Sequence, residues 1–241
     1  MRFLQGITAI VALGLGQFAV ADLVSFTGAT GDLEARATFA TSGSDLIVTL
    51  TNTSLNDVMA PDDVLTAVFF DMDTTADLTP TSAILGGDSI VLWGTTDPGN
   101  SVGGEWAYRD DLTGAPFDAQ YGISSAGFNL FGPGDRFPGN DLFNPEAPNG
   151  LNYGITSAGD DINTGNQKVT GSQPLIQNEV VFTLSGLGGS FDPAASITNV
   201  TFQYGTNLSA PQARAVPLPP AAFAGLALFG LVFARKRRSA E

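Results

Sequence analysis

The chain has 241 residues, with 24 acidic and 10 basic side chains, no histidine and no cysteine. Without those two residues no Ser-His-Asp triad, Cys-His pair, disulfide or histidine-ligated zinc or haem can be assembled. Every acidic residue except Glu241 lies between 22 and 215, against only Arg36, Arg109, Arg136, Lys168 and Arg214, so this region repels nucleic acid and anionic lipid.

In chain order, Arg2 gives a minimal positive start, residues 3–16 are mostly apolar, and Ala19-Val20-Ala21 is a small-x-small site. That layout predicts a secretory signal peptide over 1–21, cut beside Ala19 and Ala21. The body, 22–215, is long enough for one sizeable core. Over 34–40, Ala35, Ala37 and Phe39 alternate with Glu34, Arg36 and Thr38; over 45–51, Leu46, Val48 and Leu50 alternate in the same way. Thr41-Ser42-Gly43-Ser44 between them predicts an antiparallel hairpin. Residues 64–70 are apolar on both faces and suit a central strand, and 90–93 is a shorter candidate. Later, Val180, Phe182 and Leu184 share one strand face, and Val200, Phe202 and Tyr204 another. No stretch of the body keeps a 3.6-residue apolar period with caps, so the expected class is all-β, an antiparallel β-sandwich or jelly roll with long ordered loops. The signal segment and a short apolar C-terminal segment would flank it as helices.

Residues 97–167 combine many glycines and prolines with Trp106, Tyr108, Phe117, Tyr121, Phe128, Phe131, Phe137, Phe143 and Tyr153. Loops so rich in rings are expected to be pinned to the sandwich by burying them. Within this stretch Tyr121-Gly122-Ile123-Ser124-Ser125-Ala126-Gly127 recurs as Tyr153-Gly154-Ile155-Thr156-Ser157-Ala158-Gly159. Two copies predict equivalent strand-turn units in neighbouring parts of one sheet rather than a solenoid.

The C-terminus has three parts: Val216-Pro217-Leu218-Pro219-Pro220, an apolar run over 221–234, and the basic cluster Arg235, Lys236, Arg237 and Arg238. As a helix the apolar run would reach roughly 21 Å at ~1.5 Å per residue. That is short of the ~30 Å hydrocarbon core, which suits a transient anchor better than a permanent one. The basic cluster is expected to stay cytoplasmic. This layout over 216–238 resembles the VPLPA variant of the PEP-CTERM sorting signal, with Pro220 where that variant has alanine. The resemblance implies Sec-dependent export, transient membrane insertion, cleavage near the proline motif by an exosortase-type membrane protease, and delivery to the surface or exopolysaccharide matrix of a Gram-negative-type bacterium. It implies nothing about what the body does.

Several constellations in the body bear on chemistry. Acidic pairs occur at Asp62-Asp63, Asp110-Asp111 and Asp160-Asp161, with Asp71, Asp73 and Asp77 forming a further cluster. Calcium takes several oxygen ligands from such loops, and Asp160, Asp161 and Asn163 (with Asn166) are the best local set for a structural calcium; no other cofactor is expected. The commoner role of such residues is as solvated turn carboxylates and caps. Gly87-Asp88-Ser89 is similar to the start of a GDSL-type hydrolase block, whose chemistry needs a histidine base that this chain lacks. A glycosidase needs only two opposed carboxylates, but nothing in the sequence selects a pair. Trp93, Trp106 and Tyr108 are the aromatics with which a sandwich could stack on sugar rings, against the alternative that they are core. The expectation is therefore a non-enzymatic, exported structural or adhesive protein of the biofilm or polysaccharide layer. The alternative is a carbohydrate-binding module that uses loop aromatics, with or without the help of calcium.

Overall fold

The alternating residues around Phe39 and Val48 dictate the first feature of the fold. Strand β2 (Leu33–Ser42) turns at Gly43-Ser44 into β3 (Asp45–Asn52), with Phe39 opposite Val48 and Ala37 opposite Leu50. Ala35, Ala37, Phe39, Leu46, Val48 and Leu50 are all fully buried. Burial of each larger one contributes about 1.5–3 kcal/mol. The computed structural model describes residues 23–143, 148–161, 163–165, 169 and 173–218.

Two sheets are built around this hairpin. In the first, β1 (Leu23–Thr30), β2, β3, β11 (Glu179–Ser185) and β5 (Thr79–Leu85) run in that order, and a short β14 (Val216–Pro217) lies outside β1. In the second, the order is β13 (Gln212–Arg214), β12 (Ile197–Tyr204), β4 (Leu65–Met72), β9 (Ile155–Thr156), β10 (Leu175–Gln177) and β6 (Ile90–Leu92). All pairings are antiparallel except β9 with β10. The predicted central strand is β4, buried along its length except at Asp71. The main core fills the space between the sheets: Phe39 from the first stands edge-on to Phe70 from the second, ring centres 5.0 Å apart. Asn52 adds a polar link across the same gap, its amide donating to the Ile155 carbonyl.

The long glycine-rich stretch is held as its rings suggest. Trp106, Phe137 and Tyr153 enter the main core, while Phe131 joins Phe69, Ala67 and Leu112 in a second cluster on the outer face of β4. Phe117 is an exception, half exposed beneath the Arg214 guanidinium at 4.5 Å. Both copies of the repeated heptapeptide lie along one edge of β4. The first makes β8 (Tyr121–Ser124), pairing Ile123 with Val68, and the second makes β9, pairing Ile155 with Leu65. A three-residue β7 (Ala107–Arg109) is added outside β8. Near the far end, α1 (Pro193–Ser196) is a single turn capped by Asp192, whose carboxylate accepts the Ala194 N–H. Among the described residues no helix is long and apolar enough to cross a membrane.

Candidate functional site

Residues 212–218 join the two sheets. Strand β13 pairs with β12 in the second sheet, and the Ala215 N–H then donates to Val200. Immediately afterwards the chain crosses to the first sheet, where Val216 faces Thr27, Pro217 faces Phe26 and the Leu218 N–H donates to the Ser25 carbonyl at 2.8 Å. The crossing needs room: a Cβ on Gly28 would lie 2.8 Å from the Arg214 carbonyl oxygen, closer than real contacts allow. Arg214 itself is fixed by Phe117 and by the Asn199 side chain.

The geometry at Pro217 explains how a proline fits a ladder. An antiparallel pair alternates between bonded and non-bonded positions. Because Leu218 is bonded to Ser25, Pro217 opposite Phe26 occupies a non-bonded position, where its missing N–H costs no ladder bond. The sequence-based boundary at 215/216 thus falls inside a strand connection, and Val216, Pro217 and Leu218 belong to the folded body. Since β1 and β14 run antiparallel, the chain enters at Leu23 and leaves at Leu218 from the same end of the sheet. Ala19, Ala21, Pro219, Pro220, the apolar run and Arg235, Lys236, Arg237 and Arg238 lie outside the described residues.

The three aromatics expected to meet a glycan do not form one surface. Trp106 is fully buried, 5.0 Å from the Phe182 ring, and its indole N–H has no partner. Tyr108 is also buried, without a partner for its hydroxyl, and desolvation pushes its ionisation up. Both are corrected to core residues, because β7 is drawn against β8, taking Tyr108 and the immediately preceding Trp106 into the main core. Trp93 alone is available, 40% exposed at the end of β6, with its backbone in the left-handed region at φ 53°. Such a conformation is unusual for a large side chain.

The proposed calcium loop is occupied with its own amides. Asp160 accepts the Val58 N–H, and burial raises its carboxyl above the usual range. Asp161 accepts both the backbone and side-chain N–H of Asn163, which lower its pKa. Nearby, Asp32, Asp57 and Asp63 line a cavity of about 170 Å³, but Asp57 accepts the Asp161 N–H and Asp63 caps Ala60. Among the described residues no three acidic groups are placed to share one ion. Asn166 lies outside them. Of the other carboxylates, Asp71 accepts from Gln120 and Asn199, and Ser89 of the GDSL-like triplet accepts the Glu179 N–H in a tight turn.

Two features were not read from sequence. An open cavity of about 590 Å³ lies at one end of the sandwich, lined by Asp73, Thr75, Gly186, Ser190, Phe191 and Ser196. Asp73, Thr75 and Ser190 are exposed there and Ser196 is half-buried. Only the polar run after β4 and the Gly-Leu-Gly-Gly-Ser turn could have signalled it. The second feature is Glu105, fully buried beneath the 137–143 segment. Its Oε1 accepts the N–H groups of Leu142 and Phe143, while Oε2 has no partner. Desolvation dominates there and pushes its pKa up to about 7. Comparison with protein-family models, curated proteins and solved structures found no match to this chain.

Proposed function

We propose that this is an exported, exosortase-processed cell-surface or matrix protein with a structural or adhesive, non-enzymatic role in a biofilm or exopolysaccharide layer. The observation that carries the reading is the three-part tail of 216–238, resembling the VPLPA-type PEP-CTERM signal, continuing from an edge strand of an acidic β body. Both ends of that body emerge side by side, so a leader and a tail engaged with one membrane would load it at one end only. Its partners in this reading are the Sec machinery, an exosortase-type protease and polysaccharide, with no nucleic acid. The jelly-roll arrangement and flanking helices belong to the same proposal.

The test is fractionation of cells making the full chain or a chain ending at Leu218. The full chain should reach the surface or matrix, and the shortened one should stay soluble in the periplasm or medium. Identical distribution of the two would defeat the reading. Removing 216–218 as well would confound the result, because it deletes part of the fold.

A second reading, a carbohydrate-binding module, is favoured by the open cavity near Asp73 and by the exposed Trp93. The cavity sets the Asp73 carboxylate and the Thr75 and Ser190 hydroxyls in one lining with the Phe191 ring, the chemistry that sugar hydroxyls and ring faces require, while Trp93 offers a separate exposed ring. A glycan array probed with wild-type protein and with Asp73→Ala would support it if binding is lost in the variant. A folded protein that binds no glycan would remove it.

A further inference from the structure

We propose that Val216–Leu218 remains with the mature body as its closing strand, so that the processing cut falls on the C-terminal side of Leu218. The inference rests on the tail reading above for the existence of a cut, but its position follows from the fold. Strand β1 would otherwise be a bare edge, with unpaired backbone groups beside the buried Val24 and Phe26. Exposed edges of that kind recruit other chains. β14 covers the Ser25–Thr27 stretch of it, and Pro217 places a residue without an N–H on the new outer edge, where a further strand would seek a donor.

A protease working on Val216–Leu218 would meet a second obstacle. Extended peptides are commonly gripped by backbone pairing with a strand edge. Here the pairing face is already held by Ser25–Thr27, and the preceding Ala215 is bonded to Val200 in the other sheet. A cut upstream of Leu218 therefore requires peeling the connection between the sheets, whereas a cut beyond Leu218 leaves every one of these bonds in place. Val216 is 64% exposed, so the strand is held by its backbone and by its crossing, not by a buried side chain.

The experiment has two arms. In the first, processed protein is recovered from cells expressing the full chain, and its C-terminus is read by intact mass and terminal-peptide sequencing. An end at Leu218 or later, before the basic cluster, is expected; an end at Pro217 or earlier overturns the proposal. Recovery of chains that all keep Arg235–Arg238 would count against processing itself, and the second arm then decides the strand assignment. There, purified full chain is trimmed with a low-specificity protease. Retention of Val216–Leu218 on the folded core is expected, and trimming past Val216 as fast as the rest of the tail overturns it. Leu218→Pro, which removes the N–H given to Ser25, should speed trimming upstream of 218 roughly five-fold, as loss of one edge hydrogen bond implies. An unchanged rate also counts against the proposal.

Discussion

Replacing Glu105 with glutamine should reshape the pH dependence of stability. Glu105 is fully buried, and its pKa moves from 4.5 to about 7 because the low-dielectric surroundings disfavour the carboxylate. The folded protein thus holds a proton that the unfolded chain releases between those values. Its stabilising contribution is complete below pH 4.5 and is lost as pH rises through 7. At about 1.4 kcal/mol per pKa unit the loss amounts to roughly 3 kcal/mol by pH 8.5. Glutamine keeps the oxygen that accepts from Leu142 and Phe143 but puts an unpartnered amide where Oε2 lies, costing about 1 kcal/mol at low pH. Urea unfolding at pH 5 should therefore find Glu105→Gln slightly less stable than wild type, and at pH 8.5 about 2 kcal/mol more stable. The other shifted carboxyls, Asp97 and Asp161 lowered and Asp160 raised, are common to both proteins and cancel in the comparison. Parallel pH profiles for the two proteins would refute the argument.

Other positions give equally direct expectations. Gly104→Ala would place a Cβ 1.8 Å from the Asn140 carbonyl oxygen, forcing apart the segments around 104 and 140. Its thermal midpoint should fall by an amount equivalent to about 3 kcal/mol or more, and a shift within error would mean that the segments do not cross as described. Trp106→Ala should destabilise by about 3–5 kcal/mol through the cavity left beside Phe182, whereas Trp93→Ala should change stability by less than about 1 kcal/mol. If any glycan binds, titration should show Trp93 affecting affinity without loss of fold; the opposite pattern would reinstate Trp106 as a contact. Asn52→Ala removes the amide given to Ile155 and the oxygen given to the Ser54 N–H, and chemical denaturation should register about 2–3 kcal/mol.

The long alternating strands were legible because one face of each is buried, and period-two patterning records that directly. Phe39, Val48, Phe182 and Phe202 all occupy the interior assigned to them. β5 was hidden by Pro80, tolerated because it lies where the pairing with β11 shifts register. β8, β9 and β10 are too short to carry a pattern and are created by the edges they join. The same cause misplaced Tyr108 and its neighbour Trp106: a three-residue strand drawn against β8, and the residue leading into it, do not advertise which side of a sheet they will enter. β14 was obscured differently, because a Val-Pro-Leu-Pro-Pro string looks like the beginning of a tail even when its first residues finish a sheet. The cavity near Asp73 and the buried Glu105 depend on distant segments meeting, and local sequence contains no record of such meetings.

The border formed by β1 and β14 has a kinetic implication. Ser25 and Leu218 come from opposite extremes of the described chain, so their pairing is among the least local contacts the molecule makes. Non-local closures are slow because a long loop must be brought together first. A polypeptide synthesised N-terminus first can fold its β2–β3 hairpin at once, yet its outer seam stays open until the last strand has emerged. Completion of the body and arrival of the tail are thereby the same event.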